Sequence, residues 1–144
     1  MEAYLITSEF FKKRVVDLFV RSGSQEFPTK RRDQLIVLKS IVLALETQKS
    51  YSEAEVNDHI KNWLKRVNDF SGWDHITLRR RLVDAKLLIR TPDGSSYQID
   101  PDGPVDINFE PVIAGFDFYE IIAAAKQSSA LKKAAYQQAR TQVK

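Results

Sequence analysis

Cysteine is absent from this 144-residue chain, which excludes disulfides and thiolate metal sites outright. The absence fits a reducing compartment such as the cytoplasm. No apolar run is long enough to span a bilayer. The longest, Leu35 to Leu45, has 11 residues and is broken by Lys39 and Ser40, against the ~20 that a membrane helix needs. The N-terminus opens with Glu2 and has no basic stretch before an apolar one, so neither a secretory signal nor a membrane partner is expected. Motifs of chemistry are missing too: there is no Gly-rich phosphate loop, no G-x-S-x-G and no H-E-x-x-H. His59 and His75 are the only histidines and stand 16 positions apart, which is weak ground for a metal site. An enzyme is therefore not expected, nor a cofactor. His59, beside Asp58, reads as an exposed residue, and His75 as the residue after an Asp74 helix cap.

Acids are missing from the end of the chain. Residues 121–144 hold five Lys/Arg and no Asp/Glu, a net +5. The preceding segment, 91–120, reverses this with seven acids and no Lys/Arg, a net −7. Residues 1–90 hold 17 bases and 12 acids, a net +5, so the whole chain carries +3. A basic body, an acidic belt and a basic tail follow one another. Basic surface attracts polyanions by releasing their counterions, and an acidic belt repels them. The alternative is mixed surface charge that serves solubility. The rest of the composition is that of a globular protein, 43% apolar and 28% charged, and the length suits one domain with a modest core.

Periodicity then divides the chain. Ser8 is a cap for a first helix with Phe11, Val15, Leu18 and Phe19 along one face. Gly23 to Pro28 reads as a connector and Thr29 as the cap of a second helix through about Glu46. Nine of the 11 residues from Leu35 to Leu45 are apolar, so this helix is buried on more than one face. Ser52 and Glu55 form a capping box for a third helix, with Tyr51 and Val56 as its hydrophobic staple. Val56, Ile60, Trp63 and Val67 follow at helical spacing. Asn68 to Asp74 is a loop containing Gly72. A fourth helix runs from about His75 to Leu87, with one apolar stripe of Leu78, Leu82 and Ala85 and a second, opposite, of Ile76, Val83 and Leu87. After Leu87 the period becomes two. Leu88 to Arg90 and Tyr97 to Ile99 flank Pro92-Asp93-Gly94, a strong turn signal.

The segment from Asp100 to residue 116 is acidic and Pro-rich and reads as an irregular crossover. A last helix, 117–142, spaces Ile121, Ala124, Ser128, Leu131 and Ala135 by threes and fours, a candidate packing seam for a homodimer. The expected fold is mainly α with a small β-hairpin: a winged helix-turn-helix core at about 15–99 with extra N- and C-terminal helices, in one domain of 1–144.

Helix, helix, helix, hairpin is the order of a winged helix, whose last helix before the hairpin usually enters a DNA groove. Thr77, Arg80 and Arg81 fall on one polar arc of that helix, while Arg79 points about 100° away from Arg80. Arg can donate two hydrogen bonds to guanine, and Thr can reach bases or phosphate. Thr77, Arg80 and Arg81 are thus candidates for DNA contact, and Arg79 for a phosphate or a carboxylate. Lys30, Arg31 and Arg32, at the start of the second helix, are candidates for phosphate contacts. The competing reading pairs Arg80 with Asp84 one turn on. The hairpin tip carries Asp93 and no base from Thr91 to Ser96, which disfavours phosphate at close range. Tyr51, Trp63, Phe70 and Trp73 are of a type that stacks on bases or a ligand; Trp63, at helical spacing, reads as core, while Trp73, in the loop before the basic helix, is open to either reading.

Particular residues resemble a known family. Phe27-Pro-x-Lys30-Arg, Tyr51-Ser-Glu-Ala-Glu-Val-Asn57, Thr77-Leu-Arg-Arg-x-Leu-Val-Asp84, Leu87-Leu-x-Arg90 and Asp93-Gly-x-x-Tyr97 resemble a bacterial domain of unknown function, family number 2087, over about residues 15–99. The resemblance implies a small winged-helix-like domain of bacterial cytoplasmic proteins, some of them fused to regulator-type DNA-binding or acetyltransferase domains. It implies no activity. Thr77-Leu-Arg-Arg-Arg-Leu82 is also similar to the start of recognition helices in DeoR-type repressors, although Arg81 stands where those carry an acid. The expected function is DNA binding as a bacterial transcriptional regulator, and the alternative is a protein-protein adaptor without nucleic acid. The operator, any effector and the stoichiometry are left open.

Overall fold

The computed structural model describes residues 3–21, 26–67 and 73–142. Phe70, Gly72 and most of the two connectors therefore lie outside the described residues. The chain is mainly α-helical with small β elements, as its periodicity predicts.

Strand β1 (Tyr4–Ile6) leads into helix α1 (Ser8–Val16). The cap is Thr7 rather than Ser8. Thr7 holds the last extended backbone after β1, and its side-chain oxygen accepts from the Phe10 amide at 3.2 Å. The Ser8 amide instead donates to Glu110 Oε1 at 3.2 Å. Phe11 and Val15 are fully buried. Leu18 and Phe19 continue in a π-helical turn, Asp17–Arg21. The Phe19 ring meets Trp63 and Phe118 edge-on, at centroid distances of 5.8 and 5.0 Å.

Helix α2 (Arg31–Val42) is central, with Leu35, Ile36, Val37, Leu38, Ile41 and Val42 all buried. Burying each such side chain contributes about 1.5–3 kcal/mol. Two details differ from expectation. The extended residue before the helix is Lys30, not Thr29, and it gives no side-chain cap bond. The helix also ends four residues before Glu46, because the Glu46 amide donates to the Tyr51 hydroxyl at 2.8 Å instead of joining the helical ladder.

Tyr51 and Ser52 form a short strand, β2, ahead of helix α3 (Glu53–Arg66). The capping box is present: Ser52 Oγ accepts from the Glu55 amide at 3.1 Å and Glu55 Oε1 accepts from the Ser52 amide at 2.9 Å. Trp63 is fully buried, and its indole N–H donates to Ser40 Oγ at 3.1 Å. His59 is half-buried rather than exposed, and its ring Nε2 bonds the Ile41 carbonyl of α2.

Helix α4 (His75–Asp84) begins where the Asp74 carboxylate accepts from the Thr77 amide at 2.7 Å. It stops three residues short of Leu87. Lys86 adopts φ 62°, and the Leu87 and Lys86 amides bond the Leu82 and Val83 carbonyls, each at 3.0 Å. This is a Schellman stop built on lysine instead of glycine. Leu87 is thus buried by the turn and not by a helical stripe, while Ile76 is exposed and Val83 half-buried.

Strands β3 (Leu88–Arg90) and β4 (Ser96–Ile99) form the hairpin. β2 adds antiparallel to β4, in the order β2-β4-β3, with Tyr51 opposite Tyr97. One helix, a strand, two helices and a hairpin whose sheet recruits that strand is the winged-helix arrangement. The segment read as an irregular crossover carries strand β5 (Ile107–Phe109), parallel to β1, and a 3-10 turn at Pro111–Gly115. The pairing partner lies some hundred residues upstream, beyond any local pattern. Helix α5 (Phe118–Gln142) buries Phe118 and Ile122, but residues 126–140 are exposed. Ser128, Leu131 and Ala135 of the seam are therefore open in the single chain. No helix among the described residues is long and apolar enough to cross a membrane.

Candidate nucleic-acid interface

Leu78 and Leu82 anchor α4 in the core. A residue two positions from both points away from the protein, and that residue is Arg80. It is exposed, and among the described residues no carboxylate pairs with it. The competing Arg80–Asp84 pair does not form. Exposed Ile76 and Asp84 lie one turn to either side of it.

The neighbours of Arg80 are held. Arg79 donates from Nη1 to Asn57 Oδ1 at 2.5 Å, and its Nη2 forms an ion pair with Glu53 Oε1 at 2.9 Å. Of its two candidate partners, phosphate or carboxylate, it has taken the carboxylate, and it locks α4 onto α3. Arg81 lies with its guanidinium carbon 5.1 Å from the Trp73 ring centroid and 5.8 Å from that of Phe27. Those two rings stack at 4.0 Å. Trp73 is thus structural, and its stack supports Arg81 by cation-π attraction. Thr77 is half-buried, and its amide donates to the Asp74 cap. Its amide and hydroxyl hydrogen bonds hold the Asp74 carboxyl below the usual range.

The second basic triplet is dispersed. Lys30 is exposed. Arg31 makes a two-pronged contact with Asp106, at 2.5 and 3.0 Å. Arg32 lies 3.5 Å from the buried Asp33 carboxylate, over the Phe10 ring, and its Nε has no hydrogen-bond partner among the described residues. Arg14 takes the same Asp33 carboxylate through two bonds of 2.9 and 3.1 Å. Of this triplet, Lys30 alone has no carboxylate partner among the described residues.

Two residues outside the expected set join the face. Arg90 of β3 and its register partner Tyr97 of β4 line one cleft with Arg79, Arg80, Val83 and Asp84 of α4. The alternation Leu88, Ile89, Arg90 was the available signal, since Arg90 shares a strand face with buried Leu88. The hairpin tip is closed on itself. The Asp93 carboxylate accepts from the Ser95 amide at 3.0 Å, Thr91 Oγ1 at 2.7 Å and Ser95 Oγ at 2.8 Å. These bonds, the Ser95 amide foremost, hold its pKa down to about 2. No group of three or more His, Asp or Glu converges as a metal site among the described residues.

A family model described as "Uncharacterized protein conserved in bacteria", DUF2087, matches residues 25–99. The match starts ten residues later than the resemblance predicted, which leaves α1 outside it together with β5 and α5. No curated protein and no solved structure matches the chain.

Proposed function

The chain belongs to this bacterial family, and from that premise we propose that it binds DNA through α4 as a transcriptional regulator. The observation that carries the reading is Arg80: a guanidinium on the crest of a surface helix, unpaired, between two arginines that are pinned. A helix docks into a groove more readily when its flanks are rigid, because less freedom is lost on binding. Arg80 is positioned to reach a base edge or phosphate, Ile76 to meet an apolar thymine methyl, and Arg81 and Lys30 to supply phosphate contacts. Arg79 supports the helix from behind. The role is one of binding, without a reaction, and is exercised in the cytoplasm. One small module reads few base pairs, so the proposal includes a homodimer through the terminal helices, with the open seam of α5 as the contact. Sedimentation of the full chain tests that part.

A second reading, a protein-protein adaptor, has its own support. Asp106 of the acidic segment already occupies Arg31, and Asp93 keeps a negative charge at the hairpin tip. Titration against a random-sequence duplex at two salt concentrations separates the two. DNA binding predicts an affinity that falls steeply with salt, and a salt slope that drops by about one for each phosphate-binding side chain removed. If the Arg80→Ala, Arg81→Ala double variant binds the duplex as the parent does, the DNA reading falls and the adaptor reading takes its place.

A further inference from the structure

We infer that the cleft between α4 and the hairpin is a phosphate-binding site. The cavity is about 290 Å³ and is walled by Arg79, Arg80, Val83 and Asp84 on one side and by Arg90 and Tyr97 on the other. Three arginines thus line one concave space, two from α4 and Arg90 from the hairpin. Planar guanidinium donors match the oxygens of a phosphate in pairs.

Each arginine is prepared differently. Arg79 is fixed by Asn57 and Glu53 of α3. Arg80 enters from the exposed crest with no carboxylate partner among the described residues. Arg90 lies across the hairpin turn, over Gly94. A Cβ built on Gly94 would stand 2.2 Å from Arg90 Nη2 and 2.9 Å from its central carbon, and Gly94 has φ +76°. The turn is therefore shaped to leave room for this guanidinium. Asp93, the acid next to Gly94 in the turn, forms no ion pair with it among the described residues. The hydrogen bonds from Thr91 and Ser95 all fall on Asp93 Oδ1, and among the described residues no ion pair involves Arg90.

Asp84 limits the ligand. Its carboxylate on the cleft wall disfavours a second phosphate and favours a hydrogen-bond donor in that place. The fitting ligand carries one phosphate group with a hydroxyl or amine beside it. Two sources supply that chemistry: a single phosphate of a nucleic-acid backbone, or a small phosphate monoester. The inference does not rest on the base-reading role of α4, since the cleft binds phosphate under either source.

The test is a titration of the full chain with inorganic phosphate at constant ionic strength, followed through the amide signal of Gly94 and the side-chain Nε–H signals of Arg79 and Arg90. Saturable shifts at these three positions, absent with chloride, are expected. Arg90→Gln should weaken the binding by about tenfold or more, the size of a charged hydrogen bond removed. Arg90→Lys, which keeps the charge, should retain part of it, and an unchanged melting temperature for both variants excludes a folding effect. A competition arm identifies the source. If phosphate displaces a duplex, the cleft takes a backbone phosphate; if both bind together, it takes a free ligand. Shifts that do not saturate, or that persist in Arg90→Gln, overturn the inference. A duplex affinity lost in Arg80→Ala but intact in Arg90→Gln, with no phosphate binding, would sink the cleft and leave the proposed function standing.

Discussion

Lys30-Arg31-Arg32 and Arg79-Arg80-Arg81 are two basic triplets of equal charge, and the fold treats them differently. In the first, Arg31 is taken by Asp106 and Arg32 lies against Asp33 and Phe10, so one lysine is left open. In the second, the outer two arginines are held by α3 and by an aromatic stack, and the middle one, on the crest, has no carboxylate partner among the described residues. Three successive residues on a helix point about 100° apart, so each meets a different neighbourhood. A run of like charge in the sequence is therefore not a patch of charge on the surface.

The sharpest way to break this comparison is at the carboxylate beneath the first triplet. Asp33 is buried and faces both Arg14 and Arg32. Asp33→Ala leaves Arg32 without its carboxylate and Arg14 with Asp17 alone, at 3.2 Å, and should cost about 2–4 kcal/mol in urea unfolding. A loss under about 0.5 kcal/mol would mean that Arg14 does not need it.

Next in size is Arg79→Met, which removes the tie between α4 and α3. Glu53 is half-exposed, so solvent screens the pair, and the expected loss is about 1–2 kcal/mol. Duplex binding should weaken as well, although Arg79 does not itself point to the groove. Stability falling without any change in binding would show that the pinning of α4 is irrelevant to its function.

A smaller effect is expected from Asp106→Asn. Both partners are about half exposed, and such pairs contribute about 0.2–1 kcal/mol. Freed, Arg31 should raise the non-specific duplex affinity and steepen its salt dependence. Unchanged binding would confine the interface to α4 and the hairpin.

The hairpin tip adds a test by pH. The folded Asp93 pKa, about 2, lies below the ordinary value of 3.8. Its contribution is therefore fully present above the unfolded value and is lost as pH falls through about 2. Protection of the Ser95 amide from hydrogen exchange should follow that window. Loss of protection already at about pH 4 would contradict the three hydrogen bonds assigned to Asp93.

The least change in stability belongs to Arg80→Ala, within about 0.5 kcal/mol, because no carboxylate among the described residues is bound to it. The same variant should give the clearest loss of duplex affinity. That contrast with Arg79→Met is the strongest check on which arginine supports and which one binds.

The legible part of the fold was local. Ser52 with Glu55, and Asp74 with Thr77, start their helices through bonds three residues long. The Pro92-Asp93-Gly94 turn closes within Thr91 to Ser96. The apolar density of Leu35 to Leu45 announces a central helix, since a helix apolar all round must be covered all round. The stop of α4 was less legible, because Lys86 occupies a left-handed position where glycine is the usual signal. The strands β1, β2 and β5 are too short to show alternation.

Of the candidate site, the sequence by itself determined which residues are cationic and that Arg79 and Arg80 leave the helix about 100° apart, because both follow from composition and helical geometry. Only the tertiary structure decided which charges remain available. Glu53 lies 26 residues from Arg79, Asp106 lies 75 from Arg31, and Arg90 faces the wall of α4 across a cleft. A charge is cancelled by whatever carboxylate the fold brings within about 4 Å, and that neighbour is set by packing across the whole chain.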